Sequence, residues 1–544
     1  YTAFYTLSLH DALPISGDTA VNFVADITAD LVGNVAISAS AGNVVFAPDS
    51  INASSQQGDG SDLVVKTTVG NVVLSTAGTN NGGDISFGQN GETYDADFGN
   101  VTLTAGHKLF LDQAGTIVDN PGNIAINFAT TGNVGNVVAS TTTGTITNAL
   151  TIQGNVGDIT YTAGSAVVAD SDEYAGAVGD LVRAGNIAAT QTIWGTRGVT
   201  TMMTAGNDGT TVDFTVAGVD YSILAGGTIN ATLNYAGAST ATGNAFVAKT
   251  GAGLAQINYN VIGNDDNADG VLAISEIGHG GNAAVSSVSG DITFAGGTQL
   301  TDYTHVATLG NVELTTGTHP QASGLITGAE KGDITLSFND LAGDPATGGF
   351  EGKVGNIAAT TTGGDITFAG SRFDNTVGNV TLTTGAVAHS AGVEVGDIAA
   401  IDGVIFNGGQ GLVKATAIDV GTIAVQFTSN GTSATGYELT TQYGALTANI
   451  GAGSYDANNN GPITANEYGR TGDLALTSSG APIALTLSST AYNSVLEQSM
   501  IGNVTLTNSA FIGVKDGDFD TIGAGTSALG SVFAGANGNI TITG

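Results

Sequence analysis

One phrase governs what this chain can fold into. Gly, then Asn or Asp, then Val or Ile, then an alternating tail of apolar and hydroxyl residues recurs from Gly17 onward, as in GNVVLSTAG at 70, GNVTLTAG at 99, GDITYTAG at 157, GDITFAG at 290, GNVTLTTG at 378 and GNVTLTNS at 502. Within each phrase the Val or Ile and the Leu or Phe two residues on share one face, and Thr and Ser take the other, which is the period-2 pattern of a half-buried strand. Between 290 and 396 the phrase starts at Gly290, Gly310, Gly332, Gly355, Gly378 and Gly396, at spacings of 18 to 23 residues. Even recurrence at that length predicts an all-β fold: a β-solenoid-like array with a 20–23 residue period, the alternative being a string of β-sandwich domains. Gly-Asn and Gly-Asp are expected to supply the turns, since both residue types tolerate positive φ.

Composition narrows the partners. The 544 residues carry 47 acidic against 11 basic side chains, a net charge of −36, so the surface repels phosphate backbones and anionic lipid and invites divalent cations. No nucleic acid partner is expected, and no apolar run is long enough to read as a membrane span. The absence of Cys removes disulfide frameworks, thiol catalysis and Cys-ligated zinc. The first sixteen residues, YTAFYTLSLHDALPIS, contain no Gly, and the composition breaks at Gly17. They resemble the conceptual translation of a sequencing adapter and are set aside as a non-native segment.

A longer repeat overlies the short one. Residues 227–276 and 421–467 align from GTI through TATG or SATG to an acidic loop, an internal duplication at an offset of about 190 residues. In the first copy Asp265, Asn267, Asp269, the Val271 carbonyl and Glu276 stand at the ligand positions of a twelve-residue calcium loop, with Gly270 at the sharp turn. The second copy offers Asp456, Asn458, Asn460, the Pro462 carbonyl and Glu467, with Gly461 matching. Alternate side chains at this spacing converge oxygens on a hard cation, and the terminal Glu binds through both of its own. The expected cofactor is Ca²⁺. With two carboxylates, the second loop is expected to bind more weakly. No helix is expected after either loop, because IGHGG and YGRTG follow at once; the calcium would then be a structural staple rather than a sensor's switch.

Enzyme chemistry finds little foothold. His10, His107, His279, His305, His319 and His389 are isolated, and there is no GxSxG elbow, phosphate loop or Cys nucleophile. Solenoids do host polysaccharide lyases and hydrolases, so a carbohydrate-binding or carbohydrate-cleaving solenoid stands as the rival reading. Thr102/Thr104, Thr381/Thr383 and Thr505/Thr507 face one side of their strands in the manner of ice-binding solenoids, but Ala, Ser, Phe or Glu at equivalent positions, such as Glu313, predict an ordinary polar face. Asn52-Ala-Ser and Asn430-Gly-Thr are formal glycosylation sequons.

Gly/Asn/Thr-rich strand repeats, strong acidity, no Cys and embedded calcium loops resemble bacterial surface-layer, adhesin and biofilm-matrix proteins. The loops are similar to the isolated calcium loops of extracellular bacterial proteins, the dockerin loop among them, but differ from dockerins in having Glu at position twelve, one loop per module and no tandem helix. The resemblance implies an extracellular or cell-surface scaffold without enzymatic activity. It would assemble with itself in sheets or filaments, be stabilised by calcium, and have cell-surface polysaccharide as a further partner. An autotransporter-type adhesin passenger is the third alternative. The expected organisation is a non-native segment at 1–16 and β-repeat regions at 17–226, 285–420 and 472–544, separated by calcium-loop β-modules at 227–284 and 421–471.

Overall fold

A computed structural model describes residues 13–17, 20–52, 66–76, 83–168, 178–206, 211–263, 278–300, 307–317, 331–340, 353–453, 469–489, 501–508, 512–516 and 540–543, apart from a few single or paired positions. The chain divides into two compact units, Tyr1–Asn258 with Ser286–Gly290 and Gln321–Glu330, and Tyr259–Val285 with Asp291–Pro320 and Lys331–Gly544. The described residues are overwhelmingly β, with a single turn of 3-10 helix at Val178–Leu181.

Each unit is a coil stack. In the first, one parallel sheet runs from Leu13–Gly17 through Val35–Ala39, Val72–Ser75, Val101–Ala105, Val137–Thr141, Ile159–Ala163 and Thr201–Ala205 to Asn244–Thr250. A second runs from Val21–Phe23 through Val44–Phe46, Ile85–Phe87, Ile124–Thr130, Ile146–Ile152 and Ile187–Ile193 to Ile229–Tyr235. The chain alternates between them, so each crossover that a parallel pair requires is a rung of the opposite sheet. The second unit repeats the arrangement, with Ala307–Thr316 to Ile540–Thr543 in one sheet and Ile292–Leu300 to Ile512–Asp516 in the other. This is the solenoid-like array that the phrase predicts. Leu13–Gly17, part of the foreign-looking segment, pairs in register with Val35–Ala39.

The core lies between the sheets. Strands alternate buried and outward residues, as in Val35–Ala39 and Ile124–Thr130, and each buried aliphatic residue is worth about 1.5–3 kcal/mol. Aromatic residues stack coil on coil, with ring centroids 5.4 Å apart for Phe23 and Phe46 and 4.8 Å for Phe87 and Phe128. In the second unit Phe373, Phe406 and Phe427 continue in the same way, and Tyr437 of the facing sheet packs on Phe427.

The Gly-Asx phrase has a different cause from the one expected. Gly70, Gly99, Gly135, Gly157, Gly355 and Gly378 do not have positive φ, whereas Gly42, Gly281 and Gly472, at 92°, 69° and 66°, do. What excludes a side chain is the coil below: a Cβ on Gly70 would lie 2.7 Å from Asn34 Oδ1 and 2.9 Å from its backbone nitrogen. The Asx residue then bonds from coil to coil. Asn34 Oδ1 accepts the Asn71 N–H at 2.9 Å, Asn71 that of Asn100 at 2.8 Å, Asn100 that of Asn136 at 2.9 Å and Asn136 that of Asp158 at 2.8 Å. A parallel ladder in the second unit runs through Asp291, Asp333, Asp365 and Asp397 to Thr422.

The same phrase marks both sheets, so its spacing is not always one coil. Gly290 leads into Ile292–Leu300 of one sheet and Gly310 into Val312 on a strand of the other. Full coils vary: 22 residues separate Asn136 from Asp158, 23 separate Asn356 from Asn379, and 45 separate Asn311 from Asn356. Where coils lengthen, the extra chain often forms an antiparallel hairpin: Lys108–Leu111 with Ile117–Asn120, Ser165–Val167 with Val182–Ala184, and Thr211–Val216 with Val219–Leu224 in the first unit, and Ala386–His389 with Gly392–Val395 in the second. Strands of the duplicated segments, among them Ile229–Tyr235, Asn244–Thr250, Ile423–Ser429 and Leu446–Ala452, are themselves rungs of the sheets.

Candidate functional site

All ten calcium-loop residues, Asp265, Asn267, Asp269, Val271, Glu276, Asp456, Asn458, Asn460, Pro462 and Glu467, lie outside the described residues. Their flanks are described. Ala255–Gly263 leads into the first loop, and Gly278–Ser287, a strand rather than a helix, follows it. Leu446–Ala452 leads into the second, whose base is closed: the Gly469 N–H donates to the Gly453 carbonyl at 2.8 Å, and the Gly453 N–H to that of Ser429 at 3.0 Å. A loop pinned at its base bears a smaller ordering cost when it wraps an ion. Among the described residues no group of three or more His, Asp or Glu side chains converges as a metal site.

A polar column leads up to that base. Phe373, Phe406, Ser429 and Ala452 are in register in successive coils, so the residues after them, Asp374, Asn407, Asn430 and Gly453, stack at one corner. Arg372 Nε donates to Asp374 Oδ1 at 2.6 Å, Asn407 Nδ2 donates to the same oxygen, and Asn430 Nδ2 donates to Asn407 Oδ1 at 2.7 Å. The sequon nitrogen of Asn430 is therefore engaged within the stack. Nearby, Tyr437 Oη lies 2.7 Å from Ser429 Oγ and donates to Gln410 Oε1 at 3.2 Å. Burial pushes its phenol up to about 12, against the lowering effect of the hydrogen bonds with Ser429 and Gln410.

Charge is segregated in the first unit. On its first sheet the outward positions form two columns, one of Ser38, Ser75, Thr104, Ser140, Thr162, Thr204 and Lys249, the other of Ala36, Val73, Thr102, Val138, Thr160, Met202 and Val247. Neither column holds a carboxylate. Carboxylates sit instead on the short strand Ala96–Phe98, as Asp97, at a corner, as Asp158, and on the hairpins, as Asp112, Asp119, Asp213 and Asp220. In the second unit one outward column is Thr at successive rungs from Thr315, Thr360 and Thr383 through Thr416, Thr440 and Thr477 to Thr507. Beside it the column through Glu313 varies and contains the Lys414–Glu438 pair at 3.6 Å. The irregularity expected from the sequence belongs to this second column. The regular one follows the Leu or Ala near the end of each phrase and could have been found by aligning phrase ends instead of phrase starts.

The first-unit hairpins make a lobe with its own core of Leu109, Leu111, Val168, Leu181 and Val216, against which Ile117, Phe214 and Tyr221 pack. Arg183 Nε on one hairpin donates to Asp119 Oδ2 on another at 3.0 Å. At the lobe's root, burial lowers the pKa of His107 below the usual imidazole value, and the Asp119 carboxylate opposes that shift. Sequence reasoning passed over these hairpins; Ala217-Gly218, with φ of 51° and 78°, is the tight-turn signal that marks one of them.

Comparison with protein-family models, with curated proteins and with solved structures finds no match. Among the described residues no helix is long and apolar enough to cross a membrane.

Proposed function

We propose that this chain is an extracellular structural scaffold, of the kind found in surface layers, fibres or biofilm matrix, that assembles with copies of itself and is stiffened by calcium. The observation that carries the proposal is where the recurring chemistry of the repeat is used: Gly, Asx, aromatic and aliphatic positions all join one coil to the next. A chain built this way transmits load along its sheets through backbone bonds. Calcium would be held by Asp265, Asn267, Asp269, the Val271 carbonyl and Glu276, and by Asp456, Asn458, Asn460, the Pro462 carbonyl and Glu467. The cage would offset repulsion between neighbouring carboxylates in a chain of net charge −36.

The magnitude is modest. At about 1 mM calcium and dissociation constants of about 0.1–1 mM, each loop adds about 0.4–1.4 kcal/mol. Thermal unfolding and particle sizing in EGTA and in millimolar calcium test the proposal, with Glu276→Gln/Glu467→Gln as the control. A melting point raised by about 1–5 °C, or calcium-driven assembly, in the parent and not in the variant is the expected result. Indifference of both to calcium would remove the metal from the proposal and turn attention to polysaccharide binding.

A further inference from the structure

Two copies of a chain with net charge −36 repel at most approaches. The outer face of the first sheet in the first unit, from Val35–Ala39 to Asn244–Thr250, is free of that obstacle, since its two outward columns carry no carboxylate and one cation, Lys249. We infer that this face is a self-association surface whose occupant is the same face of a second copy. The inference rests on the scaffold reading and gives it a surface.

Self-recognition follows from the chemistry of the columns. Each Ser or Thr hydroxyl both donates and accepts, so a hydroxyl column is complementary to itself when two copies meet about a two-fold axis. The adjacent column supplies apolar contact through Val73 and Met202, which are 42% and 36% exposed. In-register pairing makes the rows straight and gives both partners the same repeat of about 4.8 Å, so that ridges of one face seat between ridges of the other. An acidic protein or an anionic surface would find one cation here. The opposite sheet's outward residues, such as Thr147, Thr190 and Asn230, also lack carboxylates, but its exposed large apolar side chains, Trp194 and Leu254, stand just beyond the strand ends rather than within the columns.

Size sets the strength. Strands of this length over these rungs present about 550 Å² per copy, or about 1,100 Å² in total, at the low end of specific interfaces. Each contact is therefore weak and reversible, and it closes a pair of chains about the two-fold axis.

Sedimentation of the full-length chain across a concentration series, in calcium and at moderate salt, tests the face. Thr104→Glu/Met202→Glu and Thr104→Lys place like charges on both partners, Thr190→Glu does the same on the opposite sheet, and melting curves verify that each variant is folded. The expected result is reversible association of the parent and of Thr190→Glu, weakened by about tenfold or more in both first-sheet variants. Weakening by Glu with strengthening by Lys would show an acidic partner surface and overturn the face-to-face arrangement. Association of the first-sheet variants equal to the parent, or loss in Thr190→Glu as well, would overturn the inference while the scaffold reading stands. A parent monomeric at every concentration, with and without calcium, would overturn both.

Discussion

The coil stack and the hairpin lobe of the first unit are both β-structure, yet different forces hold them. In the stack every rung is parallel and in register, its corners are tied by Asx side chains, and its interior residues, such as Leu103 and Tyr235, have no exposed surface. The lobe is antiparallel, and its core is a handful of side chains that includes Leu109 and Leu111 at 8% and 9% exposure. Its ion pair, Arg183 with Asp119, is about a third exposed on the arginine side and therefore contributes little. The stack distributes its stability over many identical interfaces, as repeat arrays do. The lobe depends on a few contacts contributed by hairpins from different coils.

Cutting each core to the same extent should give the largest contrast. Leu103→Ala leaves a cavity between rungs and should cost about 2–5 kcal/mol, read as a lower global melting point. Leu181→Ala, in the lobe, should leave that melting point near its parent value and instead speed amide exchange in Lys108–Asn120, Ser165–Val167, Val178–Leu181 and Val182–Ala184, as expected of locally opening segments. Equal drops in melting point would mean that lobe and stack unfold together.

The two kinds of core should also separate in pH. Tyr437 lies in a coil interior, with its phenol pushed from 10.0 up to about 12. The folded state holds it neutral, so its contribution is intact below pH 10 and lost as pH rises toward 12, up to about 3 kcal/mol; Tyr437→Phe should flatten that limb of the stability profile. His107 has the opposite sign. Burial depresses its folded pKa below 6.5, so lobe stability is present above 6.5 and declines as pH falls below it. His107→Gln should abolish the acid-side increase in lobe exchange.

The smallest effect isolates the ladder. Asn136 Oδ1 accepts the Asp158 N–H at a solvent-exposed corner, where water can replace it, so Asn136→Ala should cost about 0.5–1.5 kcal/mol in denaturant unfolding. A much larger loss would mean that the Asx column is cooperative.

Much of this architecture was legible locally. The alternation in GNVTLTAG at 99 places Val101 and Leu103 inside and Thr102 and Thr104 outside, as found. That no helix follows the first loop was likewise foreseen, and a strand, Gly278–Ser287, stands there. The role of Gly70 was not, because φ preferences are a property of one residue, whereas its constraint comes from Asn34 in the coil below.

Sequence by itself determined which residues form rungs and which way each points, since the pleat fixes side-chain direction every two residues without reference to the rest of the molecule. Tertiary structure decided which phrases share a column. Coils of 22 to 45 residues stack on one another, and the excess chain leaves at the corners, so register is set by the fit of one coil's backbone and Asx side chain on the next, not by distance along the chain. The Asx ladders, the uninterrupted Thr column of the second unit, the carboxylate-free face of the first and the lobe that gathers its hairpins all depend on that stacking.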